Sequence, residues 1–359
     1  MKEYKSFDKG CTLFVKGVAV ILLLTHHTVA AFPQSYPIDI LHCGINVFIT
    51  AVTKVCVALF TVLSGYGLAK SFEKSSDRSI IFVLKHIKKL LINFWKVYVL
   101  VFLLSECRLM GFIYESPIKL YINKSERFSP FVTFVLDFFG LMGLFSTPTL
   151  NITWWYMETI LFCYLMFPVL RAGIKKIPIF TLFAAAVPCI ILGCLRIASI
   201  PMDSNDEIYY MFPFAMGIFV ADRDILNRFI RRISDKYFLH LAISFVTMLV
   251  MMVFATQFSG VGYTFFAVSI VFFAAVLLKY DCFIMRWLKL LGEQSMNMFL
   301  IHSFLLSNWL AVAWIFELTD NIFIKVGVLT VLSYATAVLP TVLDSVIRRA
   351  FYALRAKKR

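Results

Sequence analysis

Ten stretches of about twenty mostly apolar residues follow one another along this chain, separated by short polar loops. They run over 11–31, 45–69, 82–105, 152–171, 177–198, 206–221, 237–257, 260–279, 294–317 and 322–346. A stretch of that length crosses a bilayer as an α-helix, the one open-ended structure that satisfies its own backbone polar groups in hydrocarbon. The pattern predicts an all-α fold, a polytopic membrane helix bundle of about ten transmembrane helices. Charged residues make up 16% of the 359 residues, where a soluble domain carries about 25%. No polar stretch is long enough for a soluble domain, so residues 1–359 are expected to form a single membrane domain.

An eleventh apolar stretch, FVTFVLDFFGLMGLF (131–145), is shorter and carries Asp137 and two glycines. Basic residues decide whether it crosses. If it does not, and the N-terminus is cytoplasmic, most of the 35 Lys and Arg residues fall in cytoplasmic segments, as the positive-inside rule requires. Only Arg108, Lys119, Lys124 and Arg127 then remain in outer loops. If it does cross, every later basic loop is moved outside. The expectation is therefore a multi-pass protein of the cell membrane with both termini cytoplasmic and 131–145 re-entrant or interfacial. The same placement accounts for the net charge of +14 without nucleic acid.

The eight cysteines lie mostly inside apolar runs, with no CxxC pair matched to a second ligand pair. They read as small buried hydrophobes, and neither a metal site nor a disulfide framework is indicated. The first span starts with basic residues like a signal peptide, but Lys16 interrupts its core, and an uncleaved helix is the better reading. ECRLMGFIYESPIKLYINKSERFSP is the one long outer loop, a length at which loops are often functional.

Polar groups at membrane depth usually face a protein interior or a water-filled cavity. KGVAVILLLTHHTVA (16–30) places Lys16, His26 and His27 inside the first span. Lys16 and His27, eleven residues apart, lie within about 20° on a helix and about 16 Å apart along it, while His26 is turned by roughly 100°. One reading makes this a polar stripe. The other has Lys16 snorkelling to phosphates and the histidines at the headgroup boundary. Other spans contribute polar groups that favour the stripe. WWYMETILFCYLMFP is expected to bring Trp154, Trp155 and Glu158 to the outer depth of His27. SMNMFLIHSFLL carries His302, and VLSGYGLAKSF carries Ser64, Gly65 and Tyr66, where glycine permits close backbone approach.

These segments together resemble the acyltransferase type 3 family, integral membrane enzymes that transfer acyl groups, mostly acetyl, to cell-surface glycans and other acceptors. Lys16-x10-His27 is similar to the family's Arg-x10-His signature. LFTVLSGYGLAKSF resembles its second-span motif, and WWYMETILFCYLMFP its Trp-to-Phe-Pro span from Trp155 to Pro168. LGEQSMNMFLIHSFLL resembles the late motif carried by Ser295, Phe299, Leu300 and His302, and YMFPFAMGIFVA the short span between. Two departures stand out. Lysine replaces the arginine at position 16 and cannot make a bidentate phosphate contact. Ile92 or Asn93 also falls where a second arginine is common.

The resemblance implies an O-acetyltransferase with acetyl-CoA as donor substrate, no permanently bound cofactor and no metal. It implies His27 as the catalytic base, with Glu158 its orienting partner. Lys16, Ser64, Gly65 and Tyr66 would serve the donor; His26, Trp155, Ser295 and His302 are further candidates. Membrane lipids, acyl-CoA and a glycan acceptor are the expected partners. Two other classes stay open: a transporter of polyprenyl-linked glycans, against which stands the lack of an internal repeat, and a non-enzymatic membrane sensor on the same fold. Capsule, exopolysaccharide, lipopolysaccharide, peptidoglycan and small molecules are all admissible acceptors.

Overall fold

Each apolar stretch is helical in the computed structural model, which describes residues 6–32, 39–40, 43–107, 116–124, 127–197, 208–233, 236–258, 260–278 and 283–357. Arg108 lies outside the described residues, as does part of the long outer loop.

The helices are α1 (Lys9–Ala31), α2 (Ile45–Thr53), α3 (Val55–Glu73), α4 (Ser79–Cys107), α5 (Pro117–Asn123), α6 (Pro130–Phe138), α7 (Met142–Phe145), α8 (Trp155–Lys176), α9 (Pro178–Ile197), α10 (Met211–Asp222), α11 (Ile225–Arg232), α12 (Tyr237–Gln257), α13 (Val261–Leu277), α14 (Phe283–Glu293), α15 (Ser295–Asn308), α16 (Leu310–Glu317) and α17 (Ile322–Lys357). A two-residue β-pair, Asp39–Ile40 with Cys43–Gly44, precedes α2. Among the described residues, five helical stretches are long and apolar enough to cross a membrane: Lys9–Ala31, Ile45–Glu73, Ile152–Lys176, Tyr237–Gln257 and Ile322–Ser345. Residues 178–192, 208–222 and 261–277 form shorter apolar helices.

The chain divides into two compact units, 1–88 with 155–293, and 89–154 with 294–359. In the first unit α3 is central, packing on α1, α8, α10 and α13. Two helix pairs there interlock through glycine. A Cβ on Gly65 of α3 would overlap the backbone of Phe214 on α10, and one on Gly217 of α10 would overlap Val62 of α3. Gly17 of α1 and Gly292 of α14 are related in the same way, against Leu288 and Leu13. Association in lipid gains little from hydrophobicity, so close backbone approach supplies the packing.

In the second unit the stretch 131–145 is not one helix. It forms α6 and α7, nine and four residues long, broken at Gly140 with φ +70° and too short to cross a bilayer. The apolar run 294–317 also breaks. Trp309 takes an extended conformation (φ −109°, ψ 110°) between α15 and α16. Of the cysteines, Cys11, Cys56, Cys163 and Cys189 are free and buried, while Cys194 is free and exposed.

Candidate functional site

Near the end of α1, the two imidazoles have different surroundings. His26 Nδ1 lies 3.0 Å from the carbonyl oxygen of Thr50 and 3.5 Å from the Thr53 hydroxyl. The carbonyl only accepts and the Thr53 hydroxyl already donates to Ile49 (2.7 Å), so Nδ1 carries the proton in neutral His26. His26 is thus tied to α2. The His27 ring stands edge-on to it, with centroids 5.1 Å apart and planes at 88°. Lys16, His26 and His27 are all half-buried. Lys16 adjoins Gly17, whose contact with α14 fixes the rotation of α1 about its axis.

A second polar cluster lies between α3 and α8. Thr61 donates to the carbonyl of Val57 (2.8 Å), so its oxygen is left to accept from the Tyr156 hydroxyl at 3.3 Å. Ser64 also hydrogen-bonds that hydroxyl. Glu158 is buried two residues further on, 4% exposed. Trp155 lies over Tyr210, centroids 5.7 Å apart. Tyr66 is buried and meets the Phe7 ring edge-on at 5.4 Å, and Gly65 faces the backbone of α10.

Helix rise corrects the expected depth of Glu158. His26 meets Thr50 and Thr53, whereas Tyr156 meets Thr61 and Ser64. From Thr53 to Thr61 is about 12 Å at 1.5 Å per residue. The start of α8 is therefore about two turns deeper along α3 than the histidines. Since Lys16 is about 16 Å from His27 along α1, Glu158 falls nearer the level of Lys16. Leu150, Asn151, Thr153 and Trp154, which lead into α8, are themselves buried.

In the second unit, Ser295 and His302 are buried. His302 Nδ1 lies 2.8 Å from the carbonyl of Phe299 and 3.2 Å from that of Met298, within its own helix. The Asn151 amide and the Trp154 indole both donate to the carbonyl of Leu300 at 2.8 Å. The Ser303 hydroxyl donates to Asn151 Oδ1, which also accepts from Thr153 Oγ1 at 3.1 Å. Asn93 donates to Asn297 (2.8 Å), which donates to the carbonyl of Ala337 (3.0 Å). Asp137 is buried and accepts from Tyr121 (2.6 Å) and from the Leu150 amide (3.0 Å). Sequence reasoning passed over Asn151, Tyr156 and Tyr121. None of them belongs to a spacing that singles it out, and only the fold supplies its partner.

A family model for an acyltransferase domain, that of the type 3 family, matches residues 14–347. The chain belongs to the acyltransferase type 3 family. The match runs from α1 into α17 and takes in both units. Comparison with curated proteins and with solved structures returned no match. As a member of this family the protein is a membrane acyltransferase, and the charged and hydrogen-bonding groups on α1, α3 and α8 are its candidate site.

Proposed function

We propose that this acyltransferase moves an acetyl group from acetyl-CoA to a hydroxyl of a cell-surface or lipid-linked polysaccharide, with His27 as general base. The observation that carries this reading is the single face of α1 that holds both Lys16 and His27, both half-buried. His26 is committed to the Thr50 carbonyl, while His27 lies on the face of α1 that also holds Lys16. An imidazole with an ordinary pKa near 6.5 takes and returns a proton near neutral pH.

In the proposed reaction His27 removes the acceptor hydroxyl proton as its oxygen attacks the thioester carbonyl. The tetrahedral oxyanion is met by positive charge. The carbon–sulfur bond then breaks, and the imidazolium returns its proton to the departing CoA thiolate. Lys16, with Ser64 and Tyr66 on α3, serves the donor. Glu158, buried on α8 nearer the level of Lys16, would position the lysine rather than the imidazole. Ten crossings with both termini in the cytoplasm of a cell-membrane protein follow from the basic loops, and they put the Lys16 end towards cytoplasmic acetyl-CoA.

The test is proton NMR of surface glycans from a deletion strain carrying wild type, His26→Ala or His27→Ala, with protein amounts matched by immunoblot. Wild type and His26→Ala should restore the acetyl methyl signal and His27→Ala should not. No difference in acetyl content between deletion and wild type would remove the glycan acceptor from the reading.

A further inference from the structure

A groove of about 350 Å³ runs between α12 and α13, outside the residues assigned to acyl transfer. His240, Ile243, Thr247 and Met251 line one wall, Val268 and Phe272 the other. The serines in it are satisfied locally: Ser244 donates to the carbonyl of Leu241 (3.1 Å) and Ser269 to that of Phe266 (2.7 Å). From His240 to Met251 is about 16 Å at 1.5 Å per residue. That is about half of a hydrocarbon core roughly 30 Å thick, the depth of one leaflet. Ile243, Val246 and Val250 on the same helix are more than half exposed, so this flank faces lipid.

The segment that closes one end of the groove carries basic residues. Phe229 of α11 closes it, 6.1 Å from the His240 ring and 5.0 Å from Phe272. Around Phe229 the chain reads RFIRR, with Lys236 following. On a helical wheel Ile225, Leu226, Phe229 and Ile230 share an arc of about 140°, and Arg228, Arg231 and Arg232 share the opposite side. Arg231 faces Asp224 at 3.5 Å, and Arg228, Arg232 and Lys236 are exposed. A short amphipathic helix of this kind lies at headgroup level.

We infer that this groove is a binding site for an anionic phospholipid, with one acyl chain between α12 and α13 and the phosphate against Arg228, Arg232 and Lys236. The length of the groove selects an acyl chain, and the charge at its mouth selects an anionic headgroup over a zwitterionic one.

The test is native mass spectrometry of the purified full-length protein, titrated with phosphatidylglycerol or phosphatidylethanolamine of the same chains. Wild type should retain phosphatidylglycerol preferentially. Arg228→Gln and Arg232→Gln should each weaken retention about five-fold. Val268→Trp, which fills the groove and leaves the charges in place, should also weaken it, and glycerol phosphate without chains should not compete. Equal retention of the two lipids, unchanged retention in both arginine variants, or displacement by glycerol phosphate would each overturn the site. The arginines are exposed, so those variants decide the matter even if Val268→Trp does not fold.

Discussion

Gly65 of α3 lies so close to Phe214 of α10 that the backbone of one helix occupies the space a Cβ on the other would need. Gly67, two residues on, has nothing within 4 Å of a built Cβ. Gly65→Ala should therefore destabilise the protein by about 2 kcal/mol or more, as overpacking does. Gly67→Ala should be neutral or stabilising by up to about 1 kcal/mol from helix propensity. Thermal unfolding in detergent compares the two, and equal effects would mean that α3 and α10 do not interlock here.

Asn151 satisfies the backbone of Leu300 and accepts from Ser303 and Thr153 in a buried knot. Asn151→Ala leaves one buried hydroxyl short of an acceptor, since Thr153 and Ser303 lie 2.9 Å apart and one can donate to the other, at a cost of about 1–3 kcal/mol. Denaturant titration should show a lowered midpoint with an unchanged slope. A midpoint equal to wild type would show that the knot is not formed.

Lys16 stands where the family signature that this chain resembles has arginine. Lys16→Arg should keep acetyl transfer close to wild type, because the position needs a cation. Lys16→Met should raise the KM for acetyl-CoA by about tenfold, the loss of one charge-assisted contact. Steady-state kinetics with the acceptor saturating separates the two. An unchanged KM in Lys16→Met would remove the residue from the donor site.

Asp224 sits at the start of α11 in a left-handed conformation (φ 50°). It accepts from Asn227 at 2.6 Å and faces Lys70 and Arg231, each at 3.5 Å. Burial raises its pKa, but the bond from Asn227 and the charge of Lys70 outweigh that and hold it below the ordinary value of 3.8. A depressed folded pKa contributes stability above the unfolded value and loses it as pH falls through the folded one. Asp224→Asn should therefore be less stable than wild type at neutral pH, and the gap should close below about pH 3.8. A gap that persists in acid would assign the effect to hydrogen bonding rather than charge.

The helices were legible because a bilayer leaves few other structures for a long apolar run. Lys16, His26 and His27 were legible because polar groups stand out in such runs. The depth of Glu158 was not, since a span starting at Trp154 looks the same whether it begins at an interface or inside a bundle. The hydrogen bonds of His26 to Thr50 and of Tyr156 to Thr61 decide it. The break at Trp309 was hidden for a similar reason: an extended residue within apolar sequence leaves no polar signal. Gly65 was read as a point of close approach, and its partner Phe214 came only with the packing of α3 on α10.

The most direct measurement is CoA release from acetyl-CoA by the purified protein in lipid nanodiscs with a glycan acceptor. Wild type, His26→Ala and His27→Ala would be compared at matched folding. With His27 as general base, its replacement should slow acceptor-dependent release by about 10²-fold or more, and His26→Ala should retain most of it. Release by His27→Ala at the wild-type rate would contradict the assignment.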